Sequence, residues 1–293
     1  VIVVPEAFAA LTVARCGDPG RRWLERLPAL VEALCAGWGL AVDGPPAHGG
    51  IGLVVPTRRG DERSVLKVSC GDASTAHEAL ALTTWAGRGA VRLLAHRPEH
   101  DALLLERLDA SRSLHGVALE DAVGIAAGLV RRLAVPAPAA LPRQAAVAAR
   151  LARELPARWV QQGRPVPRPA VAAAAAAATE LGPTAQALLV NRDLSYHNVL
   201  AGQREPWLAI DPKALAGEPA LGLAPLLWTR LDELGGRAGT RRLFDRLVAE
   251  VGVDRERARG WVLVWCLDYW LWGLRVGLTE DPARCAALVD WLG

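Results

Sequence analysis

The apolar residues of this chain change their period near Leu108, and that change limits the folds open to it. Between Leu40 and Leu108, short runs rich in valine and leucine (Leu53 to Pro56, Ser64 to Ser69, Val91 to His96, Ala102 to Leu108) are separated by Gly, Asp and Pro clusters. One helical stretch, Ser74 to Trp85, interrupts them. Runs of this length bounded by turn residues predict strands, here a small antiparallel sheet carrying a single helix. Residues 5–14 and 20–38, ahead of the sheet, carry apolar residues at helical spacing, Leu27, Val31 and Leu34 among them. Beyond Leu108 the spacing is helical almost throughout: Glu120 to Leu133 is amphipathic, Ala172 to Ala178 is built from the best helix former, and the stretch from Leu221 onward alternates faces rich in Trp and Leu. The strand-like material of that half is confined to Leu181 to Asp211, and the Pro-rich segments 135–142 and 164–169 read as connectors. The expected class is α+β in two lobes: residues 1–107 form a small antiparallel-sheet lobe and residues 108–293 a mainly helical one, with a cleft between them as a common place for a ligand.

Charge and composition exclude several partners. The 293 residues hold 34 Lys plus Arg against 31 Asp plus Glu, a net charge of +3 spread without a dense basic stripe, so nucleic acid is not expected as a partner. No apolar run approaches the roughly 18 residues needed to cross a bilayer, and the first residues lack the basic-then-apolar order of a signal peptide. The 5 cysteines are scattered and odd in number, as expected of buried thiols in a reducing compartment. A cytoplasmic protein without membrane partner, monomeric or weakly dimeric, is the expectation. One imbalance is more telling: of the 34 basic residues only Lys67 and Lys213 are lysines. Against a coding bias towards arginine, a lysine that persists marks a place where a compact ammonium is needed and the wider guanidinium fork does not fit.

The most informative segment runs from Val190 through Asn191, Asp193, Tyr196, His197 and Asn198 to Asp211. Val199 to Ala201 and Pro206 to Ile210 read as two strands joined by the turn Gly202-Gln203-Arg204-Glu205. A hairpin returns the chain to its starting end, so Asn198 and Asp211 should lie side by side, within reach of Asp193. Two carboxylates and an amide oxygen around one small volume suit Mg²⁺. Phosphoryl transfer needs this pattern, with one Asp to orient the acceptor hydroxyl and an Asn and an Asp to hold metal on the phosphates. An ordinary hairpin with Asp and Asn in its turns would look the same in isolation.

Upstream residues shift that balance. In Ser64 to Ser69, period-two alternation puts Lys67 on the face opposite Leu66 and Val68, where it could pair nucleotide phosphates, with Glu78 on the lobe's helix as its ion-pair partner. Gly49, Gly50 and Gly52 precede the strand and would let backbone N–H groups approach phosphate, although they match no strict Gly-x-Gly-x-x-Gly. Glu106 and Leu108 end the last strand, where a nucleotide base would bond to backbone groups. Tyr196 and His197 read as packing or loop hydrogen-bonding groups, and no His or Cys cluster suggests zinc.

With these residues in place, and with Gly89-Ala90-Val91-Arg92-Leu93-Leu94, Leu103-Leu104-Leu105-Glu106-Arg107-Leu108-Asp109 and Arg204-Glu205-Pro206-Trp207-Leu208-Ala209-Ile210-Asp211-Pro212-Lys213, the sequence resembles the aminoglycoside and hydroxyurea antibiotic-resistance kinases. The resemblance implies a protein-kinase-like two-lobed fold and an enzyme that phosphorylates an antibiotic hydroxyl. It assigns Asp193 as the catalytic carboxylate, Asn198 and Asp211 as metal ligands, Lys67 with Glu78 as the phosphate anchor, Mg²⁺ as the metal, and ATP or GTP as donor. Two positions depart from the family pattern: Asn191 stands where it has His, and Gly222 where it has Asp. These departures motivate the alternative of a pseudokinase that binds a nucleotide or ligand without turnover.

On the acceptor side the candidates are Lys213, Asp232, Glu233, Asp268 and Trp272. From Ala214 onward there are 11 acidic residues and 10 arginines, no excess for a polycation. An aminoglycoside such as streptomycin and a nucleoside-type antibiotic both stay open as substrate.

Overall fold

The computed structural model describes residues 2–71 and 76–293, and its chain divides into two compact units, Val1–Asp109 and Ala110–Gly293. The first unit begins with α1 (Glu6–Trp38), one helix where the sequence suggested two stretches. Gly17 interrupts it with φ 59° and ψ −141°, a conformation closed to residues with a side chain, and Pro19 follows two residues later. Then come β1 (Ala41–Val42), β2 (Ala47–His48), β3 (Gly52–Arg59), β4 (Glu62–Ser69), α2 (Glu78–Trp85), β5 (Leu93–Arg97) and β6 (Ala102–Glu106). Ser74 and Thr75, expected to open the helix, lie outside the described residues. The sheet is antiparallel in the order β1-β3-β4-β6-β5, with β2 also on β3.

Register explains the core of this unit. Leu53 faces Val68 and Val55 faces Leu66 across β3 and β4, so all four share one side of the pleat. They pack with Ala102 against Phe8, Leu27, Val31, Leu34 and Cys35 of α1. Each Leu, Val or Phe fully buried in this layer contributes about 1.5–3 kcal/mol. Val54 and Lys67, opposite one another, take the other face.

β7 (Asp109–Ser113) starts at the last residue of the first unit and otherwise belongs to the second, which continues with α3 (Leu119–Leu133), β8 (Val135–Pro136), α4 (Gln144–Gln161), α5 (Arg168–Leu181), β9 (Leu188–Asn191), β10 (Val199–Ala201), β11 (Trp207–Ala209), β12 (Ala214–Gly217), α6 (Leu223–Trp228), α7 (Arg237–Val251), α8 (Arg255–Arg275) and α9 (Glu280–Leu292). Two small sheets, β11-β10-β7 and β12-β9-β8, sit among the helices. Strand material thus extends beyond Leu181 to Asp211, which corrects the sequence expectation. Asp109–Ser113 is polar and mostly exposed, and nothing local marks it as a strand; it becomes one by pairing with β10.

The alanine tract forms α5, with Val171, Ala174 and Ala178 buried along one face. Small side chains there let α8 come close, and a Cβ on Gly260 would stand 2.6 Å from Leu181 Cδ1. Every residue from Trp261 to Leu267 on α8 is buried, as in a helix surrounded by neighbours. Its first turn is capped by Asp254, whose carboxylate accepts the N–H of Arg257 at 2.8 Å.

Two glycines of α1 should respond oppositely to alanine. Gly17→Ala forces a side chain into the positive-φ break and should destabilise the fold by about 1–3 kcal/mol. Gly37→Ala, at a helical position with open space around it, should stabilise by up to about 1 kcal/mol. Urea denaturation of the two variants checks this; equal shifts would remove the structural role assigned to the break.

Candidate active site

In the second unit the site is built by two antiparallel pairings. β9 pairs with β12, Asn191 opposite Ala214, and β10 pairs with β11, Val199 opposite Ala209. The hairpin closes as its sequence suggested: Ile210 N–H donates to the Asn198 carbonyl at 2.9 Å, which seats Asn198 beside the start of the Asp211 segment. Between the pairings the loop 192–198 is folded on itself. Ser195 N–H donates to the Asp193 carbonyl at 2.9 Å, Asn198 N–H to the Ser195 carbonyl at 3.0 Å, and Asn198 Nδ2 to the Asp193 carbonyl at 3.0 Å. Asn191 Oδ1 accepts the N–H of Asp193 at 3.0 Å and that of Lys213 at 3.1 Å. Tyr196 is fully buried beneath the Arg230 guanidinium, and the Arg192 guanidinium lies 4.7 Å from the centre of the Trp265 ring. The loop is therefore pinned by backbone, amide and aromatic contacts together.

The charges at this spot are coupled. Burial pushes the Asp193 carboxyl up from its ordinary value near 3.8 to about 6; the Lys213 ammonium and Arg192 pull it down, while Asp211 and Asp281 push it up. Lys213, itself buried, donates from Nζ to Asp211 Oδ1 at 3.0 Å. Asp211 has φ 48°, in the left-handed region. Asn198 spends its amide nitrogen on the Asp193 carbonyl, so its oxygen and the Asp211 carboxylate, which already holds Lys213, are the hard oxygens that could ligate a cation here. Among the described residues no group of three or more His, Cys, Asp or Glu could hold a metal. A cation here would take the rest of its shell from phosphate oxygens and water, which is how Mg²⁺ binds and Zn²⁺ does not.

In the first unit Lys67 Nζ donates to both carboxylate oxygens of Glu78, at 2.8 and 2.7 Å, with both side chains buried. Gly52 leaves room for that lysine: a Cβ there would stand 3.3 Å from Lys67 Cε and 3.0 Å from Ser69 Oγ. Gly49 and Gly50 turn the chain from β2 into β3, with Gly49 N–H on the Gly52 carbonyl at 3.0 Å and Arg15 on the Gly50 carbonyl at 2.9 Å. A Cβ on Gly49 would meet nothing within 4 Å. The Glu106 carboxylate accepts the N–H of Arg92 at 2.7 Å, and Leu108 is half-buried in the link to β7.

On the acceptor side the three acidic candidates each hold an arginine. Asp232 pairs with Arg284, Glu233 with Arg230 and Asp268 with Arg158. Trp272 packs on Tyr269, which stacks on Trp228 at 4.9 Å between ring centres. Sequence reasoning missed the residue at the end of this ladder: Tyr269 donates its hydroxyl to Asp281 Oδ2 at 3.0 Å, and the Asp281 charge is felt by both Asp193 and His197. His197 stacks on His115 at 3.9 Å, and burial, with His115 and two arginines near it, depresses its pKa. A histidine stacked face to face on a second imidazole fits a packing role.

The raised Asp193 value has a stability consequence. Between pH 4 and 6 the unfolded chain releases this proton before the folded one, so stability falls as pH rises through that window. Asp193→Asn, which cannot ionise, should melt above the native protein at pH 7, by a margin that shrinks towards pH 4. Melting curves across that range check it, and a margin independent of pH would contradict the assignment.

Known proteins resemble this chain over most of its length. A family model described as aminoglycoside/hydroxyurea antibiotic resistance kinase matches residues 37–277. The chain is 40% identical over 291 residues to a streptomycin 6-kinase of Streptomyces glaucescens, covering 97% of this chain and 95% of that protein. It is 41% identical over 303 residues to a hydroxyurea phosphotransferase of Kitasatospora aureofaciens, covering 100% and 86%. The crystal structure of aminoglycoside phosphotransferase APH(4)-Ia superposes with a TM-score of 0.64 at 17% identity, covering 90% of this chain and 98% of that one. The fold is protein-kinase-like, as the sequence implied. With its family model spanning most of the sequence and relatives at this identity over nearly its whole length, the chain belongs to the aminoglycoside/hydroxyurea antibiotic resistance kinase family.

Proposed function

We propose that this chain is a Mg²⁺-dependent O-phosphotransferase that moves the γ-phosphoryl group of ATP or GTP to a hydroxyl of a small antibiotic and so inactivates it. The observation that carries the reading is the clamped loop: a half-buried Asp193 carboxylate of raised pKa held beside Asn198 and the Asp211–Lys213 segment. Asp193 accepts the hydrogen bond of the acceptor hydroxyl, orients it towards the phosphoryl group and takes its proton as the new O–P bond forms. A carboxyl with a pKa of about 6 is a better proton acceptor than an ordinary one and is still ionised at neutral pH. Lys213 brings an ammonium to the same spot, where it offsets the charge of Asp211 and can meet a phosphoryl oxygen. Bound at Asn198 and Asp211, Mg²⁺ would neutralise charge on the donor phosphates.

In the first unit, Glu78 fixes the position of the Lys67 ammonium through both carboxylate oxygens, which would hold a compact positive charge at a set place for a phosphate. The small space beside Gly52 favours lysine over arginine. The acceptor side supports a substrate of modest charge, since Asp232, Glu233 and Asp268 are already matched by arginines. The relatives named for streptomycin and hydroxyurea make these the first acceptors to try. The pseudokinase alternative rested on Asn191 and Gly222; the two hydrogen bonds of Asn191 support a loop that stays ordered without the histidine.

Transfer of labelled γ-phosphate from ATP and from GTP to a panel containing streptomycin, hydroxyurea and nucleoside antibiotics tests the reading, and no transfer to any of them would overturn it. Asp193→Ala should lower kcat about 10²- to 10⁴-fold with nucleotide affinity nearly unchanged. Retention of native kcat would take Asp193 out of the reaction. Lys67→Arg, nominally conservative, should raise the nucleotide KM or lower kcat at least about tenfold, because the guanidinium is too wide for the gap; kinetics matching an Arg-to-Lys control elsewhere would refute that.

A further inference from the structure

We propose that the side-chain amide of Asn191 is a latch that sets the Asp193 loop against the Asp211–Lys213 segment, making Asn191 a positioning residue for phosphoryl transfer. The kinetic part of this inference rests on the phosphotransferase reading above; the structural part does not.

The β9–β12 ladder runs out at this point. Asn191 faces Ala214, and Arg192 N–H still reaches the Lys213 carbonyl at 3.2 Å, but the N–H of Lys213 turns to Asn191 Oδ1. The same oxygen takes the N–H of Asp193. One acceptor therefore joins two backbone positions, 193 and 213, that bracket the hairpin carrying Asn198 and Asp211. Both partners are donors, which fixes the amide orientation: the oxygen must face them.

That orientation is costly elsewhere. Asn191 Nδ2 is buried with no hydrogen-bond partner among the described residues, in a residue only 5% exposed. Beside it is a cavity of about 10 Å³ whose other walls are Val130, Leu133, Val190, Leu194 and Pro219. Such surroundings would suit leucine better than an amide. What the amide supplies in return is the double acceptor. An imidazole nitrogen has one lone pair and could take one of the two N–H groups, whereas an amide oxygen has two and takes both. Gly222 lies alongside, where a Cβ would stand 3.4 Å from the Asn191 carbonyl oxygen and from Val130 Cγ2. Asn191 and Gly222 thus fall at one place, where the glycine leaves the space that the latch fills.

The experiment compares Asn191→Leu, which removes the acceptor, with Asn191→Asp, which keeps it. Amide hydrogen exchange is followed residue by residue, and kcat is measured with the best acceptor of the native protein, normalised to the folded fraction. In the leucine variant the Asp193 and Lys213 amides should lose at least about tenfold in protection while those of Val190 and Leu215 stay protected, and kcat should fall about 10- to 100-fold, as misplacement of reacting groups does. The aspartate variant, which keeps the acceptor but adds a charge beside Asp193, should recover the protection of both amides. Unchanged protection at 193 and 213 in the leucine variant, or an aspartate variant whose two amides exchange as fast as in the leucine one, would overturn the proposal. Asn191→Ala is read the same way if the leucine variant does not fold. Absence of phosphate transfer by the native protein would defeat the phosphotransferase reading alone, since amide exchange still decides the latch.

Discussion

Two short antiparallel pairings hold together the candidate site of the second unit. β9 with β12 and β10 with β11 are each only three or four residues long, yet they fix where residues 193, 198 and 211 meet. Strands this short hold little stability of their own. They persist because Leu189, Val190, Val199, Leu208, Ala209 and Leu215 are buried among helices, so that the helical mass of the unit sets the geometry of a loop to which it contributes few side chains. Arg192 on Trp265 and Tyr196 under Arg230 are two points where that mass reaches the loop directly.

The buried charges obey the same logic. An ion pair removed from water gives little net stability, because desolvation offsets most of the attraction. Lys67 with Glu78, and Lys213 with Asp211, are accordingly poor candidates for holding the fold together and good ones for holding a charge at a fixed place. The arginines behave differently: Arg284, Arg230 and Arg158 pair with carboxylates that are partly exposed, where guanidinium reach and planarity are an advantage and a tight fit is unnecessary.

The hairpin, its strands and the neighbourhood of Asn198 and Asp211 were legible in the sequence because each depends on residues within about twenty positions and on the period-two rule. Lys67 was legible for the same reason, its face being fixed by Leu66 and Val68. Asn191 was visible only as a departure. Its two donors are fixed by a strand pairing 22 residues away in sequence, and no local pattern reports which N–H a ladder leaves unpaired. β7 escaped because its polar residues become a strand only through their partner. Asp281 and Tyr269 escaped because their meeting joins two helices at an angle that spacing does not encode. Nearly equal counts of acids and arginines after Ala214, 11 against 10, hinted at neutrality but could not say which acid holds which arginine.

The left-handed backbone at Asp211 narrows the evolutionary paths open to this position. Aspartate can be replaced through one base change by glutamate, asparagine or glycine, among others. Glutamate keeps the carboxylate but is a longer side chain in a conformation that costs ordinary residues about 1–2 kcal/mol. Asparagine and glycine accept the backbone and discard the charge. No single step preserves both, so Asp211 stands where neutral drift has no exit, and descendants of this sequence will keep it or lose the site.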